Sequence, residues 1–181
     1  NGGIARILPN GIEAKDGTFY ECDVILCATG FDVAKMIGNL TVKGVGGRDL
    51  GEEWGDEDAR SYMGMVMPGY PNLFWTVGPN SAPNHAAGQN MISECQVNWI
   101  VEALDRIVET GAKAFEVKQE AFDAWNRKVE ARMPQMIWTH PKANSYYNNS
   151  KGRVYLSWPW RLVDFFVETR RPEEGSYTLH K

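Results

Sequence analysis

No glycine-rich dinucleotide turn of the form GxGxxG occurs in the chain, and no GxxxxGK[ST] phosphate loop. A polypeptide holding a dinucleotide by itself is expected to show such a turn in its first strand–helix unit, where backbone must approach the pyrophosphate. No apolar run approaches the roughly 18 residues that cross a bilayer, and no signal peptide opens the chain. There is no basic block: 19 Lys and Arg stand against 23 Asp and Glu, a net charge of -4, which argues against a nucleic-acid footprint. Lys151, Arg153, Arg161, Arg170 and Arg171 do crowd the last stretch, but acidic and aromatic residues lie among them. Most of these are expected to be solvated, and a few are able to hold a phosphate in a deep site.

Cysteine is scarce. Cys22, Cys27 and Cys95 form no CxxC pair and leave an odd count. On a strand, a spacing of five puts Cys22 and Cys27 on opposite faces, which disfavours a shared metal or disulfide. Reduced, buried thiols in a soluble cytoplasmic protein are expected. The sequons Asn39-Leu40-Thr41 and Asn148-Asn149-Ser150 are then chance matches. The three histidines show no metal-ligand spacing, and no serine sits in a nucleophile elbow.

What is present is an ordinary globular composition, 43% hydrophobic and 23% charged, in a length that suits one domain or pieces of two. Residues 4–22 read as short strands with turns at Asn10-Gly11 and Asp16-Gly17. The run Cys22-Asp23-Val24-Ile25-Leu26-Cys27-Ala28 predicts a strand buried on both faces, ending at Thr29-Gly30. Residues 38–64, rich in glycine and charge, predict a long irregular excursion. A second buried strand is expected over Leu73–Val77, stopped by Gly78-Pro79-Asn80.

From Met91 the apolar residues Ile92, Cys95, Trp99, Ile100, Leu104, Ile107 and Val108 recur at helical spacing, with Gly111 as the stop. A second amphipathic helix runs from Gln119 to Met133, where Pro134 ends or kinks it. Residues 135–150 read as loop, Val154-Tyr155-Leu156 as a short strand, Trp158-Pro159-Trp160 as a turn, and Leu162–Glu168 as a short helix. The fold class is α/β, with sheet at 1–34 and 65–80 and helices following.

Two places look like more than packing. At Thr29-Gly30, a buried strand ending in a hydroxyl and a glycine lets backbone approach a ligand at the strand's carboxyl edge; a plain strand-end turn is the alternative. At Gly78–Asn80 and on to Asn90, a strand, a polar loop and a helix start bring unpaired N–H groups and a partial positive charge to one point. Asn90 as N-cap is compatible with that reading. His85, in Pro83-Asn84-His85-Ala86-Ala87-Gly88, is either an acid or base or a hydrogen-bonding loop residue.

Cys22-Asp23-Val24-Ile25-Leu26-Cys27-Ala28-Thr29-Gly30-Phe31-Asp32 resembles the "D-hydrophobics-ATG-F" segment of flavin-containing and Baeyer–Villiger monooxygenases. Gly69-Tyr70-Pro71-Asn72-Leu73-Phe74 through Gly78-Pro79-Asn80-Ser81 is similar to their "G-[FY]-P-N-L-F…GPN" segment. Gln89-Asn90-Met91, Asn144-Ser145-Tyr146-Tyr147-Asn148 and Trp158-Pro159 continue the likeness over essentially the whole chain. Within the family it looks most similar to enzymes of the hydroxyacetophenone type, which act on aryl ketones.

The resemblance implies an FAD- and NADPH-dependent oxygenation that inserts one atom of O2 beside a ketone carbonyl. It implies residues 1–34 as the end of the nucleotide-binding region and 35–181 as a C-terminal FAD-domain segment with tail helices. The whole would be the C-terminal part of a flavoprotein with two dinucleotide-binding domains. Thr29 and Gly30 would lie near the join of the FAD and NADP domains, with Gly78 and Asn80 lining the site. Gln89, Asn90 and Met91 would approach the pyrimidine end of the flavin, where helix-start N–H groups stabilise negative charge. Tyr146 stands where many relatives carry Trp beside the nicotinamide cofactor, which puts that contact in doubt.

The family's FAD and NADP glycine fingerprints, its signature motif and its catalytic arginine precede the ATG segment and are not among these 181 residues. The expectation is a C-terminal region that is inactive alone. A flavin monooxygenase acting on nitrogen or sulfur, and a non-catalytic binding or assembly module, are the competing readings. A homo-oligomer is compatible with any of them.

Overall fold

The computed structural model describes residues 3–28, 30, 33, 35–83, 88–143 and 145–181. Thr29, Asn84–Ala87 with His85, and Asn144 lie outside the described residues. Two compact units emerge, Asn1–Asp32 and Val33–Lys181. No helix among the described residues is long and apolar enough to cross a membrane.

The first unit is an antiparallel meander of β1 (Ile4–Leu8), β2 (Gly11–Ala14) and β3 (Phe19–Glu21). Leu8 pairs with Gly11, so the first turn is Pro9-Asn10, one residue ahead of its expected place. Gly11 opens β2 instead: a Cβ there would stand 2.2 Å from the Tyr20 carbonyl oxygen across the sheet. The second turn is where it was expected, with Gly17 at φ 84° and Asp16 accepting the Thr18 N–H at 3.0 Å.

The run from Cys22 to Ala28 corrects the sequence reading. It carries no strand, and Val24 and Leu26 are 71% and 87% exposed. An apolar run becomes a buried strand only where neighbouring strands satisfy its backbone, and this sheet offers three short antiparallel strands. With it goes the expectation of buried thiols: Cys22 is half-buried, Cys27 exposed, and Cys95 alone is buried.

In the second unit the order is α1 (Leu50–Trp54), α2 (Gly88–Thr110), β4 (Ala114–Val117), α3 (Gln119–Arg132), α4 (Leu162–Glu168) and β5 (Tyr177–His180). β4 and β5 form a two-stranded antiparallel sheet in which Phe115 faces Leu179. Both strands and α1 escaped the sequence reading, being short and lacking clean alternation. The helices are where periodicity put them. Ile92, Cys95, Trp99 and Ala103 make the buried stripe of α2, and Gly111 at φ 64° follows its end. Trp125 and Val129 are the buried residues of α3 with Asn126, and Phe165 is the buried residue of α4.

Leu73–Val77 and Val154–Leu156 are not strands. The first is broken at both ends by left-handed residues, Asn72 at φ 59° and Val77 at φ 56°. The second holds only isolated bridges on either side, Asn148 to Val154 and Ala82 to Ser157. The sheet expected over 65–80 is therefore absent from the described residues, although the α/β character stands.

An aromatic cluster joins α3, α4 and the 158–160 turn. Trp158, fully buried, stacks on Trp125 at 5.6 Å and meets Phe165 edge-on at 4.9 Å. A smaller cluster forms where Leu50 and Trp54 of α1 bury against Met67 and Tyr70. Asp49 caps α1, accepting the N–H groups of Gly51 and Glu52 at 2.8 and 3.2 Å, and receives Lys43 Nζ at 2.7 Å.

Trp158→Ala should lower stability by about 3–5 kcal/mol, read as a shift in the urea midpoint, because neighbours on three sides cannot collapse into the void. A second expectation concerns acid. The hydrogen bond from Lys43, aided by the cap N–H groups, holds the Asp49 carboxyl below its usual range. Its contribution is present above the ordinary carboxylate value of about 3.9 and is lost as pH falls through the lower folded value. Asp49→Asn keeps a cap but cannot titrate. The wild-type advantage over it should be full at pH 7 and shrink progressively as the midpoints are followed down through and below the ordinary carboxylate range.

Candidate functional site

The entry into α2 is organised by one buried amide. Gln96 is fully buried on the core side of that helix. Its Oε1 accepts the Val77 N–H at 2.6 Å, and its Nε2 faces the carbonyls of Met63 and Gly64 at 3.4 and 3.5 Å. The Gly64 carbonyl also accepts the Gly78 N–H at 3.1 Å. Backbones approach so closely here that only glycine fits: a Cβ on Gly64 would meet Ser81 Cβ at 2.3 Å, and one on Gly78 would meet Gly64 O at 2.5 Å. Met63, Val77 and Asn80, all near φ 55°, are three of the four left-handed non-glycine residues among the described ones. Each such residue costs about 1–3 kcal/mol and persists only where its surroundings over-determine it, typically at functional sites.

Asn80 is 2% exposed and wholly engaged. Its Nδ2 donates to the carbonyls of Val154 and Ser157 at 2.9 and 3.2 Å, its Oδ1 accepts Arg153 Nη2 at 3.0 Å, and its N–H goes to Tyr155 O at 2.8 Å. Arg153 Nη1 reaches Ala59 O at 3.0 Å and Asp58 Oδ1 at 3.2 Å. Burial first, then the nearby Arg60 cation, pulls the Arg153 guanidinium down to about 10 against Asp58 and Glu130, so it remains charged at neutral pH.

Of the residues expected at a site, the structure ties Gly78 to α2 through Gln96, which holds the adjacent Val77 and faces the same Gly64 carbonyl, and ties Tyr146 to Asn80 at one remove. The Tyr155 hydroxyl donates to Tyr146 O at 2.8 Å, while the Tyr155 carbonyl accepts Asn80 N–H. The Tyr146 ring is exposed, 4.2 Å from that of Tyr147, with the two hydroxyls 2.9 Å apart. That hydroxyl pair, with burial behind it, pushes the Tyr147 phenol up.

Gly88 starts α2 at φ 70°; Gln89 and Asn90 are exposed and Met91 half-buried. Asn90 is thus the third helical residue, which corrects its reading as N-cap; a helix that begins at Gly88 has already passed its cap. No acidic residue stands in this first turn, so nothing anionic on the turn itself competes for its N–H groups. Gly30, exposed at φ 74° with open space where a Cβ would point, belongs to the first unit.

An electron-rich ring edge or an anion fits the start of α2. Gly78 and Asn80, by contrast, have their polar groups spent inside the protein. Sequence reasoning missed Gln96 and Arg153. A polar residue on the buried stripe of a helix was the available signal for Gln96; for Arg153 there was none beyond its place among aromatics.

Gln96→Ala leaves the Val77 N–H without its acceptor in a half-buried place and forfeits the long contacts to Met63 and Gly64. A loss of about 2–4 kcal/mol is expected from chemical denaturation, above what the missing methylenes explain. Gln96→Met, which restores the volume without the acceptor, should recover only the packing part of it.

No protein-family model matches the chain. An uncharacterized monooxygenase of Sinorhizobium fredii is 32% identical over 177 residues, covering 98% of this chain and 27% of that protein. A Baeyer–Villiger monooxygenase of Streptomyces coelicolor is 33% identical over 178 residues, covering 98% of this chain and 34% of that protein. Among solved structures, an oxidised steroid monooxygenase bound to NADP aligns with a TM-score of 0.76 at 26% identity, over 98% of this chain and 33% of that one. A closed cyclohexanone monooxygenase, at 22% identity and a TM-score of 0.75 over 98% of this chain and 34% of that one, shares the fold. The chain spans between a quarter and about a third of the length of these curated relatives, 27% and 34%. Sequence and fold agree over nearly its whole length, and by that agreement the chain belongs to the Baeyer–Villiger monooxygenase family.

Proposed function

We propose that the chain is the C-terminal part of an FAD- and NADPH-dependent Baeyer–Villiger monooxygenase that converts an aryl ketone to an ester with O2. The observation that carries this reading is the match of 98% of the chain to Baeyer–Villiger monooxygenases at 33% and 30% identity. FAD reduced by NADPH supplies the oxygen-transfer chemistry when bound. The chain's own contribution is to bind and orient. The start of α2, Gln89, Asn90 and Met91, in a first turn free of acidic residues, would hold the flavin and favour negative charge on it through the helix-start N–H groups. Gly78 and Asn80 would fix the backbone that leads there, and the exposed Tyr146 ring would offer the nicotinamide a stacking face where many relatives carry Trp.

The site is a lining completed by residues outside this third of the enzyme, so the chain is inactive alone. The family relationship favours oxygenation of ketones over that of nitrogen or sulfur.

Grafted in place of the matching third of the Streptomyces coelicolor relative, the chain should give a flavin-loaded protein that oxidises NADPH and turns acetophenone into phenyl acetate. The chain by itself should do neither, and should show no tight quenching of FAD fluorescence. A folded, flavin-loaded chimera that oxygenates thioethers and no ketone would overturn the reaction, and ketone turnover by the isolated chain would overturn the half-site.

A further inference from the structure

We propose that Arg153 is a positioning residue for the flavin site: gripping Ala59 and Asn80 at once, its guanidinium fixes the segment 77–83 that delivers the chain into α2. The ligand named here rests on the function proposed above; the clamp does not.

Asn80 is left-handed, buried, and has one side-chain oxygen that needs a donor. Arg153 Nη2 supplies it at 3.0 Å, while Nη1 of the same planar group is held by Ala59 O at 3.0 Å and Asp58 Oδ1 at 3.2 Å. Asn80 then passes the constraint on. Its Nδ2 grips Val154 and Ser157, and its own N–H and that of Ala82 go to Tyr155 and Leu156. From Ala82 only five residues separate this clamp from Gly88.

Stability alone is a poor reason for a largely buried cation here. Burying such a group is costly, and well-packed apolar replacements for buried ion pairs are often neutral or better. What an apolar residue or a lysine cannot do is donate in two fixed directions from one plane. The charged neighbours reinforce the geometry: Arg60 pairs with Asp58 at 3.5 Å and with Glu130 of α3, so Asp58 is shared between two guanidinium groups.

Hydrogen exchange on the 181-residue chain tests this without any ligand. The amides of Val77, Gly78, Asn80 and Ala82 are all hydrogen-bonded and report on the segment. In Arg153→Lys they should exchange about tenfold faster while those of α3 keep their rates. Asn80→Ala removes the bond to Arg153 along with those to Val154 and Ser157, so adding Arg153→Lys to it should accelerate exchange by clearly less than the product of the two single effects. Unchanged rates at those four amides, or an equal acceleration in α2, α3 and α4, would overturn the clamp. If Arg153→Lys loses its far-ultraviolet dichroism, Arg153→Met, which keeps the bulk of the stem and donates nothing, replaces it with the same two outcomes.

FAD titration of the chimera described above separates the two readings. A Kd raised about tenfold by Arg153→Lys, together with local loosening, supports both. A chimera that folds without taking flavin counts against the functional reading, while the exchange pattern still decides the clamp. Weakened flavin binding with unaltered exchange overturns the clamp and spares the function.

Discussion

Buried backbone that belongs to no sheet must find its hydrogen bonds elsewhere, and in this protein loop-to-loop backbone bonds, side-chain amides and one guanidinium together provide them. Met63, Met65, Asn80, Ser81, Tyr155 and Ser157 are all buried, yet none lies in a regular strand or helix. An unpaired N–H or carbonyl in such surroundings costs about 1–3 kcal/mol, and a handful would exceed the net stability of a domain this size. Gln96 serves 63–64 and 77, Asn80 serves 154 and 157, and Asn72 pairs with both Lys113 O and the Phe115 N–H at the edge of β4. Asn149 does the same for its own loop, accepting the N–H groups of Lys151 and Arg153. These side chains take the place of a sheet ladder. Glycine at 64 and 78 follows from them, since segments cross-linked at such short range leave no room for Cβ.

That network needs a rigid surface to hang from, which the aromatic core provides. Tyr62 and Trp125 meet edge-on at 5.9 Å, and Trp99 meets Phe115 at 5.6 Å, so α2, α3 and β4 are each anchored by at least one large ring. Rings bring much buried area at little cost in side-chain entropy, and their edge-to-face contacts restrict sliding. The irregular segments are thus pinned on the apolar side by rings and on the polar side by amides.

The division between what could and could not be read in the sequence follows the same line. Helices α2, α3 and α4 were legible because a helix satisfies its own backbone, so apolar spacing and stop signals are local facts. The hairpins of β1–β3 were legible from turn residues, to within one position at Pro9-Asn10. The runs at Cys22–Ala28, Leu73–Val77 and Val154–Leu156 have strand composition, but a strand exists only by virtue of a neighbour, and composition is silent on neighbours. β4 and β5 show the converse: four residues each, some 60 positions apart, with nothing in either to announce the other. At the candidate site the glycines and Asn80 stood out as sequence, whereas Gln96 and Arg153 matter only through what they touch. Asn90 was misplaced because the helix begins two residues sooner, at a glycine that itself needs φ 70°.

The way Asn80 and Gln96 are used constrains what this part of the enzyme can contribute to chemistry. Each has its polar atoms committed to protein partners, so neither can move a proton to or from a ligand without breaking the structure that holds α2. What is exposed at this end of the helix is a first turn, Gln89 and Asn90, without an acidic side chain, and the dipole of a helix start stabilises charge without transferring it. Such a surface sets geometry and field and leaves any reaction to a bound group. It also explains why strain is tolerated here. Val77 and Asn80 in left-handed conformations would be a liability in a flexible loop, but here both are tied down, Val77 by Gln96 and Asn80 by Arg153, Val154, Tyr155 and Ser157.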